Sequence, residues 1–358
     1  MLGLIEARIR RRPGTQAVGW GLCAKADCAR PARPYVGRAP ARFRPRRAAS
    51  LLPPRGPSVR TLFRPPPGVA RAVAVLGLAF TVAGAGIATC SARARPAAPT
   101  AVGLATAPDQ FFISDDARLR YREAGTGEAV VLLHGMAQSL DDWAADGVGD
   151  SLALGYRVIA LDQRGHGRSS TFTDPARYGT AMADDVVRLL DRLHVRRAHL
   201  VGHSMGALVA ANVAARYPER VASAALVAAP LYADSAADAA ARSPWIANLE
   251  GGAGWVGFFR WLFPAMPAAA AERASAAQLA AIPPARSIAI LRGLAALTPP
   301  AERIAASRVP VLIAAGTGDP LLVNARALAA RWPGARLLEV PGADHAGVIA
   351  RPEVLAAV

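Results

Sequence analysis

Gly202-His203-Ser204-Met205-Gly206 follows the apolar run His199-Leu200-Val201 and precedes the Ala-rich stretch Ala207 to Ala215, and the fold is read from this passage. A short apolar run, two closely spaced glycines and then an Ala-rich segment spell a strand, a tight turn and a helix. In that setting G-x-S-x-G is a turn that lifts a serine hydroxyl above a sheet. The glycines answer to crowding, because side chains at Gly202 or Gly206 would strike the neighbouring strand and helix. The serine itself sits on strained backbone, and the helix that starts after it aims its positive end at any oxygen held above the turn.

On either side of it, apolar runs alternate with helical stretches. Phe111-Phe112-Ile113 and Leu119-Arg120-Tyr121 read as a leading hairpin. Val130 to Leu133, Val158 to Leu161, His199 to Val201, Ala225 to Val227 and Val311 to Ile313 read as buried parallel strands, and Arg336 to Val340 closes the series. Met182 to Leu193 carries apolar residues at Val186, Leu189, Leu190 and Leu193, a helical spacing. Such an order predicts an α/β fold, a mostly parallel sheet with helices on both faces.

The rhythm breaks once, between Val227 and Val311, a gap far longer than one crossover needs. The insert is Ala-rich, reads as helical and holds Trp245, Trp255, Phe258, Phe259, Trp261 and Phe263. It is expected to form a helical cap over the carboxyl ends of the strands, where open α/β sheets bind ligands. Most of its aromatics are expected to form the cap's own core, with a minority lining an apolar pocket.

Five motifs in a fixed order give the chain a resemblance to the α/β-hydrolase superfamily, among its esterase, lactonase and haloperoxidase-like branches. They are the serine turn, His134-Gly135 after the third strand, Asp162-Gln163-Arg164-Gly165-His166-Gly167-Arg168-Ser169 after the fourth, Gly316-Thr317-Gly318-Asp319, and Gly342-Ala343-Asp344-His345. The resemblance covers roughly residues 110–358. It implies the α/β-hydrolase fold with a helical cap inserted after the sixth strand, and a catalytic Ser204, Asp319 and His345 in the superfamily's chain order. A serine hydroxyl needs a base to take its proton, which falls to His345, and Asp319 would hold the imidazole in the required tautomer. The backbone N–H groups of Met205 and Met136 would hold the oxyanion.

That set implies a serine hydrolase that cleaves a small carboxylic ester or lactone through an acyl-enzyme, with no cofactor. Perhydrolysis or carbon–carbon bond hydrolysis on the same triad, and a ligand-binding protein that keeps the triad with little turnover, are the rival readings. Serine at the turn excludes the related haloalkane dehalogenases and epoxide hydrolases, which attack with aspartate. His134, His166 and His203 flank the site as residues that shape loops, Asp162 as an anchor of its turn, and Asp344 as structural. Asp234 is a minor alternative acid, and His194 and His199 suggest no partner. No cluster has metal-ligand spacing, and no phosphate-binding loop is present.

Charge and cysteine content separate the two ends of the chain. The formal net charge of +16 comes from the N-terminal quarter: residues 1–71 hold 16 basic and 2 acidic groups, and beyond residue 95 the basic and acidic groups are equal in number. Nucleic-acid binding is therefore not expected of the main domain. The three cysteines, Cys23, Cys28 and Cys90, lie before it, so it has neither a disulfide framework nor a thiol nucleophile. Residues 1–71 read as a disordered Arg/Pro-rich tail or as a reading frame begun upstream of a start near Val69. Arg46-Arg47 lacks the apolar stretch that a twin-arginine signal needs.

Residues 72–95 contain a 19-residue uncharged run, Ala72 to Cys90, which reads as a signal peptide or a transmembrane anchor. Ala92-Arg93-Ala94 offers a cleavage site, and Ile87-Ala88-Thr89-Cys90 a lipid-attachment site. An exported or membrane-anchored protein with its catalytic domain outside the cytoplasm is the expectation. It would be cytoplasmic if residues 1–95 are not an export signal. Residues 96–108 read as a linker, 109–230 and 309–358 as the core, and 231–308 as the cap. After His345 the superfamily usually adds a full helix, which Arg351-Pro352-Glu353 opens here and Val358 cuts short.

Overall fold

The computed structural model describes residues 103–358, and the tail, export-signal and early linker readings fall outside the described residues. Eight strands form one sheet in the order β1-β2-β4-β3-β5-β6-β7-β8. Their ranges are β1 (Gln110–Ser114), β2 (Ala117–Ala124), β3 (Ala129–Leu133), β4 (Arg157–Leu161), β5 (Ala198–His203), β6 (Val221–Val227), β7 (Val311–Gly316) and β8 (Arg336–Val340). Only β2 runs against its neighbours, pairing antiparallel with β1 and β4, while every pair from β4 to β8 is parallel. Residues of β3 and β7 are buried throughout, as expected of strands covered on both faces. The fold is therefore the α/β-hydrolase fold, with its carboxyl strand ends gathered along one edge.

Helices α1 (Leu140–Ala145) and α2 (Val148–Ala153) fill the β3–β4 connection. α3 (Thr180–Arg192) and α4 (Met205–Arg216) flank the sheet, and Val186, Leu189 and Leu190 of α3 are fully buried, as their spacing predicts. The insert forms α5 (Ser235–Glu250), α6 (Val256–Leu262), α7 (Ala268–Ala281) and α8 (Pro284–Leu294), followed by α9 (Ala301–Ala306). α10 (Leu322–Arg331) and the single-turn α11 (Pro352–Leu355) complete the chain. The bounds drawn from sequence shift in two places. Leu104 is fully buried beside Gly149, and its N–H donates to Asp150 Oδ1 at 2.6 Å, so the packed unit already includes residues assigned to the linker. At the far end of the insert, Ile290, Leu294, Leu297 and Ile304 join the sheet's own core, which leaves α5, α6, α7 and the start of α8 as the cap proper.

Among the described residues, no single helix is long and apolar enough to cross a membrane.

Candidate active site

β5 delivers the serine. Ser204 sits between β5 and α4 at φ 51°, a left-handed conformation that a non-glycine residue adopts only when its surroundings force it. Its N–H donates to Val227 O at 2.9 Å, which pins the turn to the end of β6. The close packing explains the flanking glycines. A Cβ at Gly206 would lie 1.9 Å from Leu133 O, and one at Gly202 would lie 2.3 Å from Gly206 O. Either would displace backbone rather than a flexible side chain.

β7 and β8 deliver the other two groups. Asp319 lies in the turn after β7 and His345 in the loop after β8, both nearly buried. The Ser204 hydroxyl donates to His345 Nε2 at 3.0 Å, and His345 Nδ1–H donates to Asp319 Oδ2 at 2.9 Å. The second oxygen of Asp319 accepts the Leu321 N–H at 2.9 Å, so both oxygens of the carboxylate are engaged and its orientation is fixed. A serine, a base and a carboxylate thus lie in hydrogen-bonded series, the arrangement that turns a weak hydroxyl into a nucleophile.

Met205 opens α4, and Met136 follows Gly135 in the turn that Gly135 O and Gln138 N close at 3.3 Å. Both line the cavity at Ser204. Among the described residues neither backbone N–H has a hydrogen-bond partner, which leaves both available to an oxyanion.

The family model for the alpha/beta hydrolase fold matches residues 128–253, a stretch that contains Ser204 and ends before Asp319 and His345. A solved structure of a hydrolase from Pseudomonas aeruginosa superposes with a TM-score of 0.58 at 28% identity, over 70% of this chain and 96% of that one. The chain has the α/β-hydrolase fold, and its residues 128–253 match that family's model. Among curated relatives, the dihydrolipoyllysine-residue acetyltransferase component of the acetoin cleaving system of Cupriavidus necator is 44% identical over 110 residues, 30% of this chain. A putative carbamate hydrolase of Variovorax paradoxus is 47% identical over 83 residues, 23% of this chain. The chain spans only 28% and 31% of the length of these two relatives.

Around this site three further histidines hold its segments together. His134 Nδ1–H donates to Gly135 O at 2.8 Å and its Nε2 accepts the Gln163 N–H at 3.1 Å, which ties the loop after β3 to the loop after β4. His166 packs beside it, tilted by 58° with ring centroids 5.2 Å apart. His203, immediately before the serine, donates from Nε2 to His345 O at 2.9 Å, a second link between the turn and the base's loop. Burial holds all three well below the ordinary imidazole value, His134 and His203 at about 4 and His166 at about 3, so they are neutral near pH 7. Their motifs place these residues near the site, as the sequence implies, but the link from His203 to His345 has only a faint signal there. That signal is a histidine next to the serine on a buried turn.

The acidic residues divide cleanly. Asp162 is fully buried and accepts from Leu140 N at 2.7 Å, Arg168 N at 2.8 Å and Arg120 Nη1 at 3.1 Å, anchoring its turn. Asp344 accepts the Gly347 N–H at 2.7 Å. Asp234 caps α5 through the Ala237 N–H at 2.8 Å and takes no part in the serine–histidine series. His199, on β5, meets Ser223 Oγ of β6 at 2.8 Å and Glu128 in the bend before β3, and neither contact involves Ser204.

The aromatics of the cap depart from expectation. Trp255, almost fully buried, forms the cap core with Leu249 and Leu291. Trp245, Phe258 and Trp261 line the cavity over Ser204, and Phe259 and Phe263 line a second cavity beside it, so the lining residues are the majority. The reason is position, since α5 and α6 carry Trp245, Phe258, Phe259 and Trp261 to the cavities at Ser204. Arg242 and Tyr232 also line the first cavity, and no sequence motif singles out either of them.

Proposed function

We propose that the chain is a serine hydrolase that cleaves a small carboxylic ester or lactone through an acyl-enzyme. The observation that carries the proposal is the series from Ser204 Oγ through His345 to Asp319 at 3.0 and 2.9 Å, set beneath an apolar cap. In the reaction His345 takes the Ser204 proton as Oγ attacks the carbonyl carbon. The N–H groups of Met136 and Met205 receive the oxyanion, and the imidazolium protonates the leaving alcohol. Water repeats these steps in reverse order to free the acid, and Asp319 stabilises each imidazolium without taking its proton. The name of the Variovorax relative, a putative carbamate hydrolase, points to attack on the same kind of acyl carbon.

Fluorophosphonate labelling of the full chain tests the proposal, with Ser204→Ala and His345→Ala as companions. Labelling of the wild type that disappears in both variants is the expected result. A folded wild type that stays unlabelled would favour the ligand-binding reading instead. Peroxide-dependent oxidation by the unlabelled wild type, lost in Ser204→Ala, would move it to the perhydrolases.

A further inference from the structure

Two cavities meet at Ser204 and His345. The more enclosed one has a volume of about 50 Å³ and lies under the cap beside Met205. The more open one has about 240 Å³ and runs past Gln138, Phe263 and Gln278. An alcohol must leave and water must enter, which suits the open side. The acyl group stays covalently held during the exchange, which suits the enclosed side.

The wall of the enclosed cavity is apolar except for two side chains that the acyl-transfer chemistry does not use. Arg242 is 8% exposed. Its Nε and Nη2 donate to the two oxygens of Asp238 at 2.7 and 2.6 Å, and Asp238 is fully buried. Among the described residues, Arg242 Nη1 has no hydrogen-bond partner, and neither has the Tyr232 hydroxyl. Burial pushes the Tyr232 phenol above its ordinary range, so it remains a neutral donor. Both atoms keep some solvent contact, so a ligand acceptor there would take the place of water on donors already held in position.

Resting on the acyl-enzyme reading, we infer that the enclosed cavity selects a short acyl chain with a neutral oxygen acceptor, such as a ketone, which Arg242 Nη1 and Tyr232 receive. Length follows from volume. At about 10–15 Å³ per water-sized group the cavity takes roughly three to five heavy atoms beyond the reacting carbonyl. Neutrality follows from charge, because Asp238 already balances Arg242. A carboxylate would bring a second, unmatched negative charge into an apolar enclosure.

Three p-nitrophenyl esters with one leaving group test this on the full-length protein: pentanoate, 4-oxopentanoate and hemisuccinate. The last two have the same shape and differ in charge. The 4-oxopentanoate is expected to exceed pentanoate in kcat/KM by about tenfold, the size of one hydrogen bond to a charged donor, with hemisuccinate the poorest. Tyr232→Phe should lower that ratio severalfold. The paired change Asp238→Leu with Arg242→Met, which exchanges a buried ion pair for apolar groups of similar volume, should bring it close to one. A wild-type ratio within twofold of one, a preference for hemisuccinate, or a ratio unchanged in both Tyr232→Phe and the paired variant would overturn the inference. Turnover without preference defeats only the acceptor site, whereas no turnover together with no fluorophosphonate labelling defeats the hydrolase reading beneath it.

Discussion

At the scale of single residues, the site depends on which proton each atom carries. Asp319 Oδ2 accepts from His345 Nδ1, and that bond leaves the Nε2 lone pair facing the serine. Asn in place of Asp319 would keep an oxygen for the Leu321 N–H, and would present its NH₂ group to His345 Nδ1. The imidazole would then carry its proton on Nε2 and could not act as base. Asp319→Asn is therefore expected to lower kcat by about 10⁴ with the fold intact, the scale seen when a triad loses its tautomer. Steady-state kinetics on a p-nitrophenyl ester, with circular dichroism as the control for folding, measures it. A loss below about tenfold would mean that Asp319 does not set the tautomer.

At the scale of elements, the cap is held by aromatic packing around one residue. Trp255 is 1% exposed, stacks edge-on against Phe258 at 5.3 Å, and its backbone N–H donates to Ser275 Oγ at 2.9 Å, which fastens α6 to α7. Trp255→Ala should destabilise the cap by about 3–5 kcal/mol. Amide hydrogen exchange should then quicken across α5–α7 while the amides of β3, β5 and β7 keep their protection. Uniform quickening in cap and sheet would mean that the two unfold as one unit. The strands are legible in the sequence because buried parallel strands are short apolar runs, and β8 falls on the residues read for it. The serine turn is legible because two glycines and a serine between a strand and a helix have few other geometries. The limits of the cap are not legible. An Ala-rich insert has no sharp polar face to set its bounds, and α5 runs through Pro244, where a local rule would end it. Arg242 is hidden for a related reason. Its role depends on Asp238 one turn earlier, and a charged i, i+4 pair reads equally well as a solvated helix face.

At the scale of the whole molecule, the three buried histidines around the site couple the fold to pH. Burial lowers His134 and His203 to about 4 and His166 to about 3, against 6.5 for each when exposed. From pH 6.5 down to about 4 the unfolded chain therefore takes up protons that the folded chain refuses, and stability falls as the pH falls. Above about pH 7 both states leave these rings neutral, so they add no slope there. Each proton is worth about 1.4 kcal/mol per pH unit, which gives a limit of roughly 4 kcal/mol per unit near pH 5 for three rings. Asp146 and Asp185, whose carboxyls burial pushes up, take up protons in the folded chain and work against this loss, whereas Asp109 and Asp141, held low by Arg120 and Arg122 in spite of burial, add to it at the acid end. Three protons is therefore the limit for the rings alone. Urea unfolding followed from pH 7.5 to 4.5 should show a plateau and then a steep decline beginning near 6.5. His166→Gln, which removes one titrating ring beside His134 and keeps a donor for Arg164 O, should reduce the slope at pH 5 by about a third. A stability that stays flat through pH 5 would show that these rings are charged or hydrated in the folded protein. The loops they join would then be held by something other than neutral imidazoles.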